Sequence, residues 1–151
     1  RKVSNWDLQV NWNNKINYKK DTGEEIRTEW FRKGTRDGLL VSDENADGVI
    51  AESEIMSAND GKVWADKVPY SNGWEKARYI GDTNNDGRIS GDELKKFSIW
   101  IDANGDGISA PDELKSMADL EVIEINTYDS TFTKKNNSPY YPPFYPYGGI
   151  I

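Results

Sequence analysis

Residues 82–93 read DTNNDGRISGDE, and two further stretches of the chain repeat the same spacing. Residues 43–54 read DENADGVIAESE, and residues 102–113 read DANGDGISAPDE. Each stretch has Asp at positions one and five, Asn at three, Gly at six and Glu at twelve, which is the signature of a calcium-binding EF-hand loop. We call them loop one (43–54), loop two (82–93) and loop three (102–113). Three matches with one spacing predict three sites of one kind.

The residue types in each loop are those that calcium requires, because this cation binds six to eight oxygen atoms in a flexible shell. Carboxylates at positions one, five and twelve, the Asn oxygen at three and the backbone carbonyl at seven are the predicted ligands. They are Asp43, Asn45, Asp47, Val49 and Glu54 in loop one; Asp82, Asn84, Asp86, Arg88 and Glu93 in loop two; and Asp102, Asn104, Asp106, Ile108 and Glu113 in loop three. A bidentate Glu at position twelve favours calcium over magnesium.

Loop three differs from the other two at position eight. Ile50 and Ile89 occupy that position in loops one and two, whereas loop three has Ile108 at seven and Ser109 at eight. We expect loop three to bind calcium with a slightly altered turn.

The composition excludes several classes of protein. The chain has 26 acidic and 19 basic residues and a net charge of −7, which disfavours nucleic acid as a partner. No apolar run approaches the roughly 20 residues of a membrane helix, so we expect no membrane insertion. The chain has no His and no Cys, which removes the usual general base, the usual transition-metal ligands and disulfides. Three divalent cations would offset most of the negative charge.

Alternating apolar and polar residues predict strands in the N-terminal part, residues 1–33. Residues 6–12, 16–18 and 26–30 alternate, and turn signals separate them at residues 13–14 and 21–23. This pattern predicts an N-terminal β-meander of three strands.

Residues 34–127 are predicted to form an EF-hand-like calcium-binding region with short helices. Residues 38–41 are expected to lead into loop one as a strand, and residues 52–57 to leave it as a helix. Trp74, Ala77 and Ile80 predict a helix that leads into loop two.

Loops two and three are too close together for two helices between them. Leu94, Phe97 and Ile101 lie at helical spacing, so we predict one helix shared by these two loops. Leu114, Met117 and Ala118 predict another helix, and residues 122–126 predict a strand. The expected fold class is α+β: an N-terminal β-meander followed by EF-hand-like calcium loops with short helices.

The C-terminal tail, residues 128–151, contains the stretch PYYPPFYPYGG at residues 139–149. Its composition predicts an extended or polyproline-like conformation. The leading interpretation of the tail is a loosely ordered terminus, and the alternatives are that its aromatic rings pack back on the domain or dock a protein partner. We expect a monomer.

The order of these motifs resembles a bacterial family. Residues 29–41 with loop one, residues 99–109, residues 112–114 and the strand at 122–126 are similar to the EF-hand-like region of secreted repeat-in-toxin proteins, including their calcium-dependent self-processing module. The resemblance covers residues 29–127. It implies a secreted or cell-surface bacterial protein.

Two functions follow as hypotheses. The leading one is a calcium-binding module that folds or rigidifies when about three Ca²⁺ ions bind. The alternative, implied by the resemblance, is a self-processing module that cleaves an Asp-Pro bond and can ligate the new end. This chain contains no Asp-Pro dipeptide, so the scissile bond would lie outside it. A dockerin-like module and a cytosolic sensor rank lower, the latter because Met56 and Met117 are the only methionines.

Overall fold

The computed structural model describes residues 14–34, 38–58, 69–135 and 139–140. Strands make up most of the regular structure in these ranges. They are β1 (Asn14–Lys19), β2 (Glu25–Trp30), β3 (Leu39–Val41), β4 (Arg88–Ser90), β5 (Ser98–Trp100), β6 (Leu114–Ser116), β7 (Val122–Asn126), β8 (Thr131–Lys134) and β9 (Pro139–Tyr140). One α-helix, α1 (Gly73–Gly81), lies between β3 and β4.

The strands form three small antiparallel sheets, in the orders β1-β2, β3-β5-β6 and β4-β7-β8-β9. The predicted α+β class is therefore wrong, because the described chain is mostly β. Each loop ends in a single 3₁₀ segment that begins at its tenth position, at Glu52–Glu54, Gly91–Lys96 or Pro111–Glu113. The residue after each segment has extended backbone, with ψ between 113° and 149°, so no helix continues.

The helix predicted between loops two and three is wrong in particular. The 3₁₀ segment ends before Phe97, and the chain then forms β5, which pairs with β3 on one side and β6 on the other. Phe97, Ile99 and Trp100 are buried there. A strand that pairs on both sides can be apolar at adjacent positions. Hydrophobic periodicity alone does not distinguish such a short apolar run from a segment of a buried helix. The helix predicted from Leu114 is likewise replaced, by β6 and a turn.

The helix predicted at residues 52–57 is also wrong, because only the 3₁₀ segment Glu52–Glu54 forms there and Ile55 makes a β-bridge with Val41. The remaining predicted elements in the described ranges are confirmed. β1 and β2 pair as a hairpin, with Ile16 opposite Thr28, and its turn has Gly23 at φ +90°. The strand before loop one is β3, the helix before loop two is α1, and residues 122–126 are β7. The first strand of the meander, at residues 6–12, lies outside the described residues, as does most of the tail.

The buried side chains form two hydrophobic clusters. The first contains the hairpin residues Tyr18 and Trp30, Ile50 from loop one, and Trp100 before loop three. The second packs α1 against β4, β7 and β8, with Ile89 of loop two at 0% exposure. Loops one and three therefore border one cluster and loop two borders the other.

Within the ranges that the structure covers, no helix has both the length and the apolar character needed to cross a bilayer.

Candidate metal centres

Each of the three loops brings its carboxylates together. In every loop the acids at positions one, five and twelve each offer an oxygen atom, and these atoms lie within 4.8 Å of one another. The groups are Asp43, Asp47 and Glu54; Asp82, Asp86 and Glu93; and Asp102, Asp106 and Glu113. Three carboxylates this close repel one another unless a cation lies between them.

The loop backbone repeats from one copy to the next. Position six lies in the left-handed region, with φ of +75° at Gly48, +79° at Gly87 and +73° at Gly107. Glycine reaches this region without strain, which explains its place in all three loops. Its N–H donates to Oδ2 of the first-position Asp, at 2.7–2.8 Å in each loop.

Position four is also left-handed in every loop, which the spacing of the loop motif did not predict. The residues there are Ala46, Asn85 and Gly105, with φ between +53° and +68°. Asn and Gly are enriched in the left-handed region, so the residue type at position four indicated this conformation in loops two and three. Ala46 gave no such indication.

Position seven is held through its backbone. The N–H of Val49, Arg88 and Ile108 donates to Oδ1 of the fifth-position Asp at 2.8–2.9 Å. The side chains of Val49 and Ile108 are 52% and 65% exposed, so packing does not select the residue type there. This fits the predicted role of position seven, which needs only a carbonyl group. The Asn at position three accepts from the fifth-position N–H at 3.3–3.4 Å in each loop.

The twelfth-position Glu closes each loop. Its Oε1 accepts from the N–H of position nine at 2.9–3.1 Å in all three copies. In loops one and two its Oε2 also accepts from the N–H of position two, at 2.7 Å. Desolvation acts to raise the pKa of Glu93, but hydrogen bonds from Ser90, Thr83 and Asn84 together lower it. Glu93 therefore remains ionised, as a ligand must be.

Loops one and three meet at position eight. The Ile50 N–H donates to the Ser109 hydroxyl oxygen at 2.8 Å, and both residues are buried. The serine at position eight of loop three thus has a structural role. Loop two has a different neighbour, because Ile89 in β4 pairs with Ile125 in β7.

Asp102 of loop three is 1% exposed and is the most buried of the nine clustered acids. Its Oδ2 accepts from the Trp30 indole N–H and from Gly107, whereas its Oδ1 is buried and has no hydrogen-bond partner among the described residues. Burial raises the pKa of Asp102 to about 6, and the nearby carboxylates of Glu113 and Asp106 act in the same direction. A buried carboxylate oxygen without a donor is unfavourable unless a cation binds it. A hard cation therefore fits this donor set.

Two residues outside the loops hold the end of loop one. The carboxylate of Asp21, in the hairpin turn, accepts from the N–H groups of Glu52 and Ser53 at 2.8 and 2.9 Å. The ammonium group of Lys76, in α1, donates to the carbonyls of Ser53 and Ile55 at 2.6 and 2.8 Å. These two carbonyls lie on either side of Glu54. Sequence spacing gave no signal for either contact, since 21 to 32 residues separate the partners.

The turn between β7 and β8 holds loop two in the same way. The Thr127 hydroxyl donates to the Gly87 carbonyl at 2.6 Å and accepts from Arg78 Nε at 3.0 Å. The Arg78 guanidinium lies 4.0 Å from the centre of the Tyr128 ring. Loop two is thereby joined both to α1 and to the sheet.

A search of curated proteins returned no match to this chain. A family model, that of the SPM domain, matches residues 8–140. The matched range includes the β1-β2 hairpin, all three loops and the four-stranded sheet, which is most of the chain. The chain therefore belongs to the SPM domain family.

Proposed function

We propose that this domain is a calcium-binding module that takes up about three Ca²⁺ ions, one in each loop, and that binding rigidifies it. The observation that carries the proposal is the threefold repeat of one cluster of carboxylate oxygens, with the same left-handed backbone at positions four and six and the same hydrogen bonds from the N–H groups of positions six, seven and nine. A solvated acidic surface has no physical reason to repeat a left-handed glycine and a carboxylate held by it three times.

The donor chemistry supports calcium over other cations. The side-chain atoms predicted to bind the cation in the three loops are all carboxylate or amide oxygens, which suit hard cations. The chain has no His or Cys to favour a transition metal. The twelfth-position Glu can supply two oxygens, which matches the larger shell of calcium.

A location outside the cell is part of the proposal. Extracellular modules of this type bind calcium with Kd of about 10⁻⁴–10⁻³ M, which suits the concentration there.

Calcium titration should show about three bound ions per chain. Calorimetry on the calcium-free protein measures the number directly. Substituting Glu93→Gln should weaken one of the sites about tenfold or more, because it removes a charge and one strong oxygen ligand. Asn84→Ser, which keeps an oxygen in the same loop, is the matched control and should weaken that site less. A protein that binds one ion or none at saturating calcium would contradict the proposal.

Calcium binding at loop three should release protons near pH 6. The pKa of Asp102 is about 6 in the metal-free protein, so a ligand that needs the ionised form displaces about half a proton there. Calorimetry at pH 6 in buffers of different ionisation enthalpy measures this number. The affinity of one site should then fall about tenfold per pH unit below pH 6. Proton release that does not change between pH 5.5 and 7.5 would contradict the assignment.

The raised pKa of Asp102 also makes the stability of the metal-free fold depend on pH. This dependence is opposite to that of calcium affinity, because the stability falls as the pH rises. A carboxyl group whose pKa is raised on folding stabilises the folded state below its unfolded pKa of about 3.9, and this contribution is lost as the pH rises through about 6. The metal-free protein should therefore lose stability between pH 4 and 7. The variant Asp102→Asn has no such group and should lack this part of the pH dependence.

A further inference from the structure

The first acid of loop three is held differently from those of loops one and two. In loop one, Oδ1 of Asp43 accepts from the Asp47 N–H at 3.3 Å, and in loop two Oδ1 of Asp82 accepts from the Asp86 N–H at 3.1 Å. Oδ1 of Asp102 is buried and has no hydrogen-bond partner in the described part of the chain. Its other oxygen carries an additional bond instead, from the indole N–H of Trp30 at 2.5 Å.

The indole ring of Trp30 is fixed by its neighbours. Trp30 ends β2 and is 0% exposed. Its ring stacks on Tyr18 at 5.4 Å between centroids, meets Phe31 edge-on at 5.7 Å and lies 5.6 Å from the Trp100 ring. Packing on these sides leaves the N–H group little freedom to turn away from Asp102.

The hairpin and the residues after it contact loop three at further points. The Asn14 side-chain amide donates to the Gly105 carbonyl at 3.0 Å, and the Gly34 N–H donates to the Ala103 carbonyl at 2.7 Å. A Cβ atom at Gly107 would collide with the Ile16 side chain. Trp30 is thus one part of a continuous contact between the hairpin and loop three.

We propose that Trp30 is a positioning residue for the metal site in loop three. Its N–H holds Oδ2 of Asp102 and leaves Oδ1 as the oxygen that a cation can take. An indole N–H is a donor only and carries no charge, so it orients the carboxylate without neutralising it. The inference rests on the proposed calcium function and adds a determinant of affinity that belongs to one site. Loss of an outer partner of this kind weakens metal binding about 10- to 100-fold.

The chain offers a matched pair of variants to test this. Trp30→Phe removes the N–H that Asp102 accepts. Trp100→Phe removes an equally buried indole from the same cluster, and the Trp100 N–H has no hydrogen-bond partner among the residues that the structure covers. Both variants lose the same atoms, but only the first loses a bond to a metal ligand.

Calcium titration of the full chain should separate the two variants. We expect Trp30→Phe to raise the Kd of one site 10- to 100-fold and to leave the others within about twofold. Trp100→Phe should leave all sites within about twofold. In the background of Asp102→Ala, which removes both oxygens of the side chain, Trp30→Phe should have no further effect on calcium affinity.

A measurement on the unsubstituted protein covers the case in which Trp30→Phe does not fold. The Trp30 indole ¹H–¹⁵N NMR signal should be protected from hydrogen exchange, and its shift should change in step with the binding of one calcium ion.

Three results would overturn the inference. These are equal weakening by the two Trp variants, an unchanged Kd in Trp30→Phe, and a Trp30 indole signal that does not respond to calcium while other signals do. Failure of the unsubstituted chain to bind any calcium would instead refute the proposed function, and so the two failures are distinguishable.

Discussion

Removal of calcium with a chelator should lower the midpoint of thermal unfolding by on the order of 10–30 °C. At 10 mM calcium and a Kd of about 10⁻⁴–10⁻³ M, each occupied site stabilises the folded state by about 1.4–2.7 kcal/mol. In a domain of about 150 residues, each 1 kcal/mol shifts the midpoint by roughly 2–4 °C. Without the cation, nine carboxylates remain crowded in three loops, and their repulsion opposes folding.

Circular dichroism melts at 10 mM calcium and in excess chelator measure this effect, and amide NMR spectra show whether the metal-free chain keeps its dispersion. Salt also screens repulsion between exposed carboxylates, so both samples need the same ionic strength. Magnesium at equal concentration is the second control and should stabilise less. Equal midpoints and equal NMR dispersion with and without calcium would show that the scaffold folds alone.

The second large effect is expected from Lys76→Met, which should destabilise the fold by about 3 kcal/mol or more. Lys76 is 2% exposed, and its ammonium group donates to two carbonyls, at Ser53 and Ile55. Each hydrogen bond from a charged donor contributes roughly 1.5–3 kcal/mol, and Met leaves both carbonyls without that donor. Because the two carbonyls flank Glu54, the calcium affinity of loop one should also fall.

Lys96→Met is the matched control for this variant. Its ammonium group also donates to a backbone carbonyl, that of Ile80, but at 3.4 Å and from an exposed side chain. An exposed substitution of this kind changes stability by about 0.5 kcal/mol or less. Urea unfolding with and without calcium compares the two variants. Equal stability of Lys76→Met and Lys96→Met would show that the buried contact of Lys76 does not hold loop one.

The three acidic loops could be predicted from the sequence because their geometry is local. The three acids of each loop lie within twelve residues, and the glycine at position six turns the chain so that their oxygens meet within 4.8 Å. The β1-β2 hairpin, α1 and β7 were also predictable, since alternation and helical spacing encode how a short segment presents one face.

The tertiary structure alone decided what lies between and around the loops. Residues 98–100 form β5 because β3 and β6 pair with them on both sides, and those partners are distant in sequence. Strand preference depends on such neighbours more than on the segment itself, so helical spacing at Leu94, Phe97 and Ile101 was misleading.

The same reason applies to the contacts that distinguish the three sites. The Trp30–Asp102 bond joins residues 72 apart, and the Ile50–Ser109 bond joins residues 59 apart. The sequence by itself determined which acids meet in each loop, since their spacing is fixed along a short stretch of chain. Which hydrogen-bond donor holds each carboxylate, and which loops are neighbours, depends on packing between distant segments, and a local sequence pattern does not encode this packing.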